Sequence, residues 1–340
     1  MATGYARDQP QGFTNHIEKV AVVGAGGQVG KFLTEHLLKT GKHVVTAITR
    51  PDSTNKLPEG VQVARVDYSG DDDTALVEAL KGQQALIISL SVFAAQDSIS
   101  KLVRAAAKAG VRYVLPNWWG HDGANDKLCE DTMLSARRDS IIAEIKSLGV
   151  SSYVFLVCSF WYEFSLGGGP NRYGFDFNKR TFVQFDDGDV PINTSTWPQC
   201  GRAVANLFSL KELPEDEKDQ SPTLSQFRNS CVYVSSFRLT QRDMFESVKR
   251  VTGTTDADWT ITRDSSEQRW KDGVAGLQQG DWKLYTQMLY SQTFFPNGGG
   301  DYESKMGLHN DILGLPVEDL DEATAVGIRM GKNGEVPFSH

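Results

Sequence analysis

The residues whose spacing most clearly prepares a chemical task are Gly24, Gly27 and Gly30, in the stretch KVAVVGAGGQVGKFLTEHLL. They stand between an apolar β-type run and an amphipathic helical one. At such a junction a glycine at the strand end permits a tight turn. A second lets a pyrophosphate approach the helix N-terminus, and a third lets helix and strand pack closely. The free N–H groups and dipole of the first helical turn favour the anion. Gly26, Gln28 and Val29 complete the turn, so residues 24–30 are expected to hold a dinucleotide. A purely structural turn is the plain alternative.

The end of the second β-type run selects among dinucleotides. An NAD site places Asp or Glu there, against the ribose 2′-hydroxyl. This chain instead reads Thr49-Arg50-Pro51-Asp52-Ser53. The Arg50 guanidinium can grip a 2′-phosphate through paired, charge-assisted hydrogen bonds, with Ser53 or Lys56 assisting. The expected cofactor is therefore NADPH; the alternative is a solvated Arg50, with Asp52 serving as the acid slightly late. Further strand ends follow. Asp67 falls where the adenine would lie, Ser89, Leu90 and Ser91 where backbone flanks the pyrophosphate and nicotinamide ribose, and Asn117 after the fifth strand. Ligands collect at the carboxyl ends of parallel strands, although each of these residues also suits an ordinary strand exit.

The elements that must position these groups alternate. Short apolar runs at 19–23, 43–49, 61–66, 85–90, 111–115 and 152–157 predict strands covered on both faces. Amphipathic segments at 28–40, 73–81, 95–110 and 132–148 predict helices, the second opened by the acidic run 71–73. Repeated βαβ units imply a parallel sheet with right-handed crossovers. The expected fold class is α/β, a doubly wound Rossmann-type parallel sheet with a smaller, mostly helical substrate lobe. Residues 1–17 are a polar leader of little order, 18–160 the NADP-binding domain, and 161–340 the lobe, partly interleaved with the sheet. Within the lobe, 164–178 is expected to be loop, 181–189 a strand running into a turn, and 214–222 a solvated connection. Helices are expected at 197–210, 240–252 and 317–330, and a strand at 231–235.

A net charge of −8 over 340 residues argues against nucleic acid or an anionic membrane as partner. No run of about 18 apolar residues offers a transmembrane helix, and the leader lacks the apolar segment of a secretory signal. Cys129, Cys158, Cys200 and Cys231 have no CxxC spacing, and no histidines stand in a metal spacing, so no metal site is expected. A cytoplasmic chain is the expectation.

GAGGQVG, ITRPDS, VRYVLPNWWG and VCSFWYEF together resemble the NmrA-like and isoflavone-reductase-like branch of the atypical short-chain dehydrogenases. INTSTWPQCGRAVANLFSLKELPEDE and TQRDMFESVKRVTGTTDADWTI extend the resemblance over roughly residues 16–330, towards the fungal CipA-like oxidoreductases of secondary metabolism. The resemblance implies hydride transfer from NADPH to an aromatic or phenolic metabolite at a C=C, C–O or C=O centre. It equally allows a regulator that senses NADP(H) without chemistry and acts through a protein partner. Oligomeric state stays open.

No tyrosine here is followed by lysine four positions on, so the phenolate–lysine pair of ordinary short-chain dehydrogenases is absent. The isoflavone-reductase branch implies a lysine at the position occupied here by Arg138. Leu134, Ile141, Ile142, Ile145 and Leu148 form an apolar stripe, and Arg138 lies on it. An inward charge needs a partner. Arginine cannot act as a base, yet it can donate hydrogen bonds to a developing oxyanion; a structural pair with an acid is the alternative. His121 is a candidate proton donor on the loop after the fifth strand, or else a surface histidine. Tyr162 offers a phenol at the exit of the sixth strand, or else an aromatic wall. Trp118, Phe160, Trp161, Tyr162 and Phe164 would line an aromatic substrate site, or else belong to the core.

Overall fold

Alternation along each strand decides which face its side chains cover. In the computed structural model, which describes residues 4–70, 72–91, 94 and 96–337, β1 (Lys19–Val23) sends Val20 and Val22 to one core and Ala21 and Val23 to the other. Such two-sided burial is what a central parallel strand requires. The chain continues through α1 (Gln28–Lys39), β2 (Val44–Thr49), β3 (Gln62–Arg65), α2 (Thr74–Leu80), β4 (Ala85–Ile88), α3 (Gln96–Lys108), β5 (Tyr113–Leu115), β6 (Trp119–Gly120), α4 (Asp126–Asp131), α5 (Ser135–Leu148) and β7 (Ser152–Val157). All six apolar runs form strands. Asp71 and Ala95, expected near the starts of α2 and α3, lie outside the described residues.

The remainder forms β8 (Phe160–Trp161), α6 (Tyr162–Leu166), β9 (Phe175–Asp176), β10 (Thr181–Phe185), β11 (Ile192–Ser195), α7 (Trp197–Phe208), β12 (Ser230–Tyr233), β13 (Phe237–Leu239), α8 (Gln241–Thr252), β14 (Thr260–Asp264), α9 (Ser266–Gln278), α10 (Leu284–Thr293), α11 (Glu303–Met306) and α12 (Leu320–Asn333). The main sheet has the order β12-β7-β5-β4-β1-β2-β3, parallel throughout, with β6 also paired to β7. Helices α1 and α7 cover one face and α2, α3 and α5 the other. The winding reverses between β1 and β4, which opens a crevice beyond their carboxyl ends.

Helices supply most of the lobe's regular structure, but two three-stranded sheets, β14-β10-β9 and β13-β11-β8, are also present. The segment 164–178, expected to be loop, contains the end of α6 and β9. Strands of two to five residues carry too little periodicity to be seen in a sequence. An aromatic core holds the lobe, with Phe182 stacked on Phe175 (centroids 4.5 Å apart) and on Phe245 (4.8 Å). The leader is also more ordered than its polarity suggests. Ala6 N–H donates to Pro214 O (2.9 Å), Glu212 N–H donates to Asn15 O (3.1 Å), and Ile17 is fully buried. Among the described residues no helix is long and apolar enough to cross a membrane, and no His/Cys/Asp/Glu cluster could hold a metal ion.

Candidate functional site

The turn after β1 is made of backbone packed on backbone. Gly24 has φ +87°, and a Cβ there would stand 1.9 Å from Ser89 O; a Cβ on Gly30 would stand 2.0 Å from Gly24 O. The glycines thus bring the β4 exit and the first turn of α1 together. Gly27 caps α1 with no side-chain hydrogen bond, and no acidic residue occupies the first turn. A helix leaves its first N–H groups without intrahelical partners, so Gln28, Val29 and Gly30 present donors suited to an anion. The loop after β2 folds over this turn: a Cβ on Gly26 would stand 2.8 Å from Lys56 O and 3.0 Å from Asn55 Cβ.

Arg50 leaves β2, immediately after Thr49, with its guanidinium largely exposed and Nε 3.7 Å from the equally exposed Asp52 Oδ1. Such a pair is weakly held and screened by solvent. A second guanidinium stands beside it: Arg65, the last residue of β3, donates from Nη1 to Pro51 O (3.2 Å) and Ser53 O (3.5 Å). Sequence reasoning missed Arg65, although two arginines at the ends of neighbouring strands is a legible signal. Asp67 accepts from Ser69 Oγ (2.6 Å) and Ser69 N–H (2.8 Å), and these bonds hold its carboxyl below the usual range. Ser53 Oγ accepts from Asn55 N–H (3.4 Å), so Ser53 helps shape the loop that carries Lys56.

At the other end of the crevice, buried Asn117 accepts from Leu90 N–H through Oδ1 (3.0 Å) and thereby ties the exits of β4 and β5. Ser89 N–H donates to Val23 O (2.9 Å), and Ser91 ends the same exit. Trp119 donates from Nε1 to Ile88 O (2.8 Å) and stays half-buried. Its neighbour Trp118 turns the other way. It donates to His121 O (2.8 Å), stacks on Phe155 (5.2 Å) and belongs to the core on the α3–α5 face, not to an exposed aromatic lining.

The three expected catalytic groups separate. Arg138 donates from Nε to Asp139 (2.8 Å) and from Nη1 to Gly123 O (3.1 Å) and Asp126 (2.8 Å). It therefore adopts the structural pairing that the sequence left open. Tyr162 begins α6 and is fully buried in the lobe core, its hydroxyl paired with Thr324 Oγ1 (2.8 Å). Burial raises that phenol far above its ordinary value. His121 alone of the three keeps an uncommitted buried atom, Nε2. Its ring meets Phe160 edge-on (4.9 Å), and Phe160 stacks on Tyr290 (3.7 Å). His121 also lines a cavity of about 10 Å³ with Ser159, Thr293 and Tyr302, room for roughly one water. Ser159, at the β7 exit, holds φ +54°, a strain that tends to gather at functional sites.

Trp161 and Phe164 meet edge-on (5.8 Å), and both contact Trp197 (6.0 and 5.7 Å) beside Phe32 of α1. Within this aromatic group Glu163 is buried, accepts from Trp197 N–H (2.9 Å) through Oε1, and leaves Oε2 without a partner. Burial pushes its carboxyl up to about 7. Nothing in the spacing of FWYEF distinguished this acid from a surface one.

The His121 imidazole, held near 4 against an ordinary 6.5 because burial penalises its charged form, gives a pH prediction. The unfolded chain takes up a proton below about pH 6.5 that the folded protein refuses until about pH 4. Stability from this group is thus complete above pH 6.5 and is lost as pH falls between those values, by roughly 3 kcal/mol at most. The expected result is a urea midpoint that drops over this interval, and a smaller drop for His121→Leu. His36, lowered to about 4 chiefly by burial, leaves a background of the same sign in both proteins. Equal drops would show that His121 is solvated.

The NmrA-like family profile matches residues 16–167. Oxidoreductase aprR of Aspergillus flavus is 26% identical over 313 residues, spanning 90% of this chain and 97% of its own. The solved NADPH-dependent quinone oxidoreductase QOR2 of Escherichia coli, complexed with NADPH, superimposes with a TM-score of 0.64 at 20% identity, over 90% of this chain and 98% of that one. A structure reported for pinoresinol–lariciresinol and phenylcoumaran benzylic ether reductases gives 0.70 at 17% identity, over 91% and 99%. At these identities the structural likenesses establish a shared fold.

Proposed function

We propose that this chain, whose residues 16–167 match the NmrA-like family profile, is an NADPH-dependent oxidoreductase that reduces a small aromatic or phenolic metabolite at a C=C, C–O or C=O centre. The observation that carries this reading is a side-chain-free helix N-terminus at Gly24–Gly30 beside two guanidiniums, Arg50 and Arg65, at adjacent strand ends. Its relative of nearly equal length, named an oxidoreductase, supports the enzyme class. The QOR2 structure, solved with NADPH, supports the cofactor. Reductases named for a quinone and for pinoresinol support an aromatic substrate. A cytoplasmic place in fungal secondary metabolism is the setting this implies.

When bound, NADPH supplies a hydride from its nicotinamide C4. The backbone of Gly24 to Gly30 holds the pyrophosphate, with Gly26, Gln28 and Val29 closing around it. Arg50 grips the 2′-phosphate with Ser53 and Lys56 near, and Asp67 flanks the adenine. Ser89, Leu90 and Ser91, anchored by Asn117, flank the nicotinamide ribose. Phe160, Trp161 and Phe164 supply apolar surface that excludes water from the reacting centre. His121, neutral through the physiological range, donates a hydrogen bond to the oxygen on which charge develops; a neutral imidazole can polarise a carbonyl without carrying charge.

The test is NADPH consumption with a panel of quinones and phenolic ethers, the products identified by mass spectrometry. Reduced product should form, and His121→Leu should lower kcat by at least about tenfold while leaving NADPH affinity unchanged. NADPH that binds but is consumed with no member of the panel would overturn the reductase in favour of a binding-only sensor.

A further inference from the structure

A pocket of about 300 Å³ lies on the lobe, away from the carboxyl ends of the parallel strands. Its lining includes Phe177 and Trp259, edge-on at 6.1 Å, with Val251 and Ile328 beside them and the polar Thr252 and Thr254. Two cations, Arg180 and Lys332, stand at it, and no carboxylate is among the lining residues. Neither cation forms an ion pair among the described residues, in a chain whose net charge is −8. Asp258, an acid that feels the charge of Arg180, commits Oδ2 to Thr255 N–H (2.8 Å) and Oγ1 (3.0 Å).

The backbone adds an independent observation. Arg180 closes the turn between β9 and β10 with φ +52°, a conformation in which glycine or asparagine is the usual choice. A long cation kept there at a conformational cost places its guanidinium for use. The last turns of α8 and α12 come to the pocket, Lys332 belonging to the last turn of α12, and some of the carbonyls there are already partnered. Thr252 Oγ1 donates to Val248 O (2.7 Å), Thr254 N–H to Lys249 O (3.1 Å), and Glu335 N–H to Met330 O (3.0 Å).

We propose that this pocket is a second ligand site, which takes a small aromatic carboxylate with its ring against Trp259 and Phe177 and its anion between Arg180 and Lys332. The volume is at the lower end of ligand pockets, which run from about 300 Å³ upwards, and so suits one or two fused rings. The site rests on residues outside the cofactor crevice and does not depend on the reaction proposed there.

The experiment is calorimetric titration of the whole chain, saturated with NADPH, with 1-naphthoate and with its neutral methyl ester. Binding of the acid with a one-to-one stoichiometry is expected, with the ester at least about tenfold weaker, because the charge-assisted contacts are lost. In the double variant Arg180→Gly, Lys332→Ala the acid should weaken by a similar factor. Glycine accepts the left-handed turn without strain, so the folded chain is retained, which thermal denaturation checks. No binding at about 5 mM, weaker than any useful affinity, would overturn the site. So would an ester as tight as the acid, or an unchanged affinity in the double variant.

Discussion

Arg50→Glu is expected to weaken NADPH by at least about a hundredfold while leaving NADH unchanged or tighter. Each hydrogen bond to a charged group contributes about 1.5–3 kcal/mol, and a guanidinium can present two in parallel to one phosphate. The substitution removes them and sets a carboxylate against the 2′-phosphate. The same carboxylate suits the 2′-hydroxyl of NADH, as an acid does at this position in NAD sites. The existing Arg50–Asp52 contact, 3.7 Å long and exposed on both sides, is worth about 0–1 kcal/mol, so thermal stability should hardly change. Fluorescence titration of both dinucleotides measures the effect. Equal weakening of the two would mean that Arg50 is merely solvated. Arg65→Ala should act in the same direction but less, by about tenfold, because its guanidinium already donates to Pro51 and Ser53 carbonyls and shapes the loop more than it binds.

The glycine turn and the cation beside it were legible in the sequence because backbone constraints leave marks in residue type. A glycine at φ +87° and another whose Cβ would collide with a carbonyl admit few substitutes, and a cation at a strand end stands out against the acid that would otherwise be there. The side chains expected to be catalytic or to line a substrate were less legible because their placement depends on which way a side chain turns. Trp118 and Trp119 are neighbours, and successive side chains of an extended segment point to opposite faces. Trp118 goes to the core and Trp119 to the crevice side, where it holds Ile88 O. The apolar stripe of α5 located Arg138 on the inward side correctly, but two of its partners come from other elements, Asp126 from the start of α4 and the Gly123 carbonyl from the β6–α4 connection, which the periodicity of α5 does not encode. Tyr162 follows a strand end, as a site residue should. It also opens α6, and its ring turns into the lobe to meet Thr324 of a helix more than a hundred residues away. A pairing of that range leaves no local trace, and the same is true of Glu163 and the Arg180–Lys332 pocket.

The glycines of the turn, finally, should separate folding from binding when each is changed to alanine. Gly30→Ala places a Cβ 2.0 Å from Gly24 O, with Gly24 C at 2.9 Å and Ala25 Cα at 3.5 Å behind it. All of these are backbone atoms, so no side-chain rotation relieves the clash, and α1 must move away from β1. Displacing a core helix costs several hydrophobic contacts; Val29, Leu33 and Leu37 are all buried against the sheet. A loss of about 2–4 kcal/mol is expected, with NADPH binding abolished because the N–H groups of the first turn no longer converge. Gly27→Ala differs. Its backbone has φ −76°, which alanine adopts freely, and the one near atom is Gly24 O at 3.1 Å. Stability should change by less than about 1 kcal/mol. Yet the added methyl stands at the mouth of the turn, where the proposed site receives the pyrophosphate, and NADPH should weaken by about tenfold or more. Denaturant unfolding and NADPH titration on both variants therefore move differently: Gly30→Ala in both measurements, Gly27→Ala in the second alone. If Gly27→Ala binds NADPH as tightly as the unmodified chain, the helix N-terminus does not receive the pyrophosphate, and the turn is only a structural joint between β1 and α1.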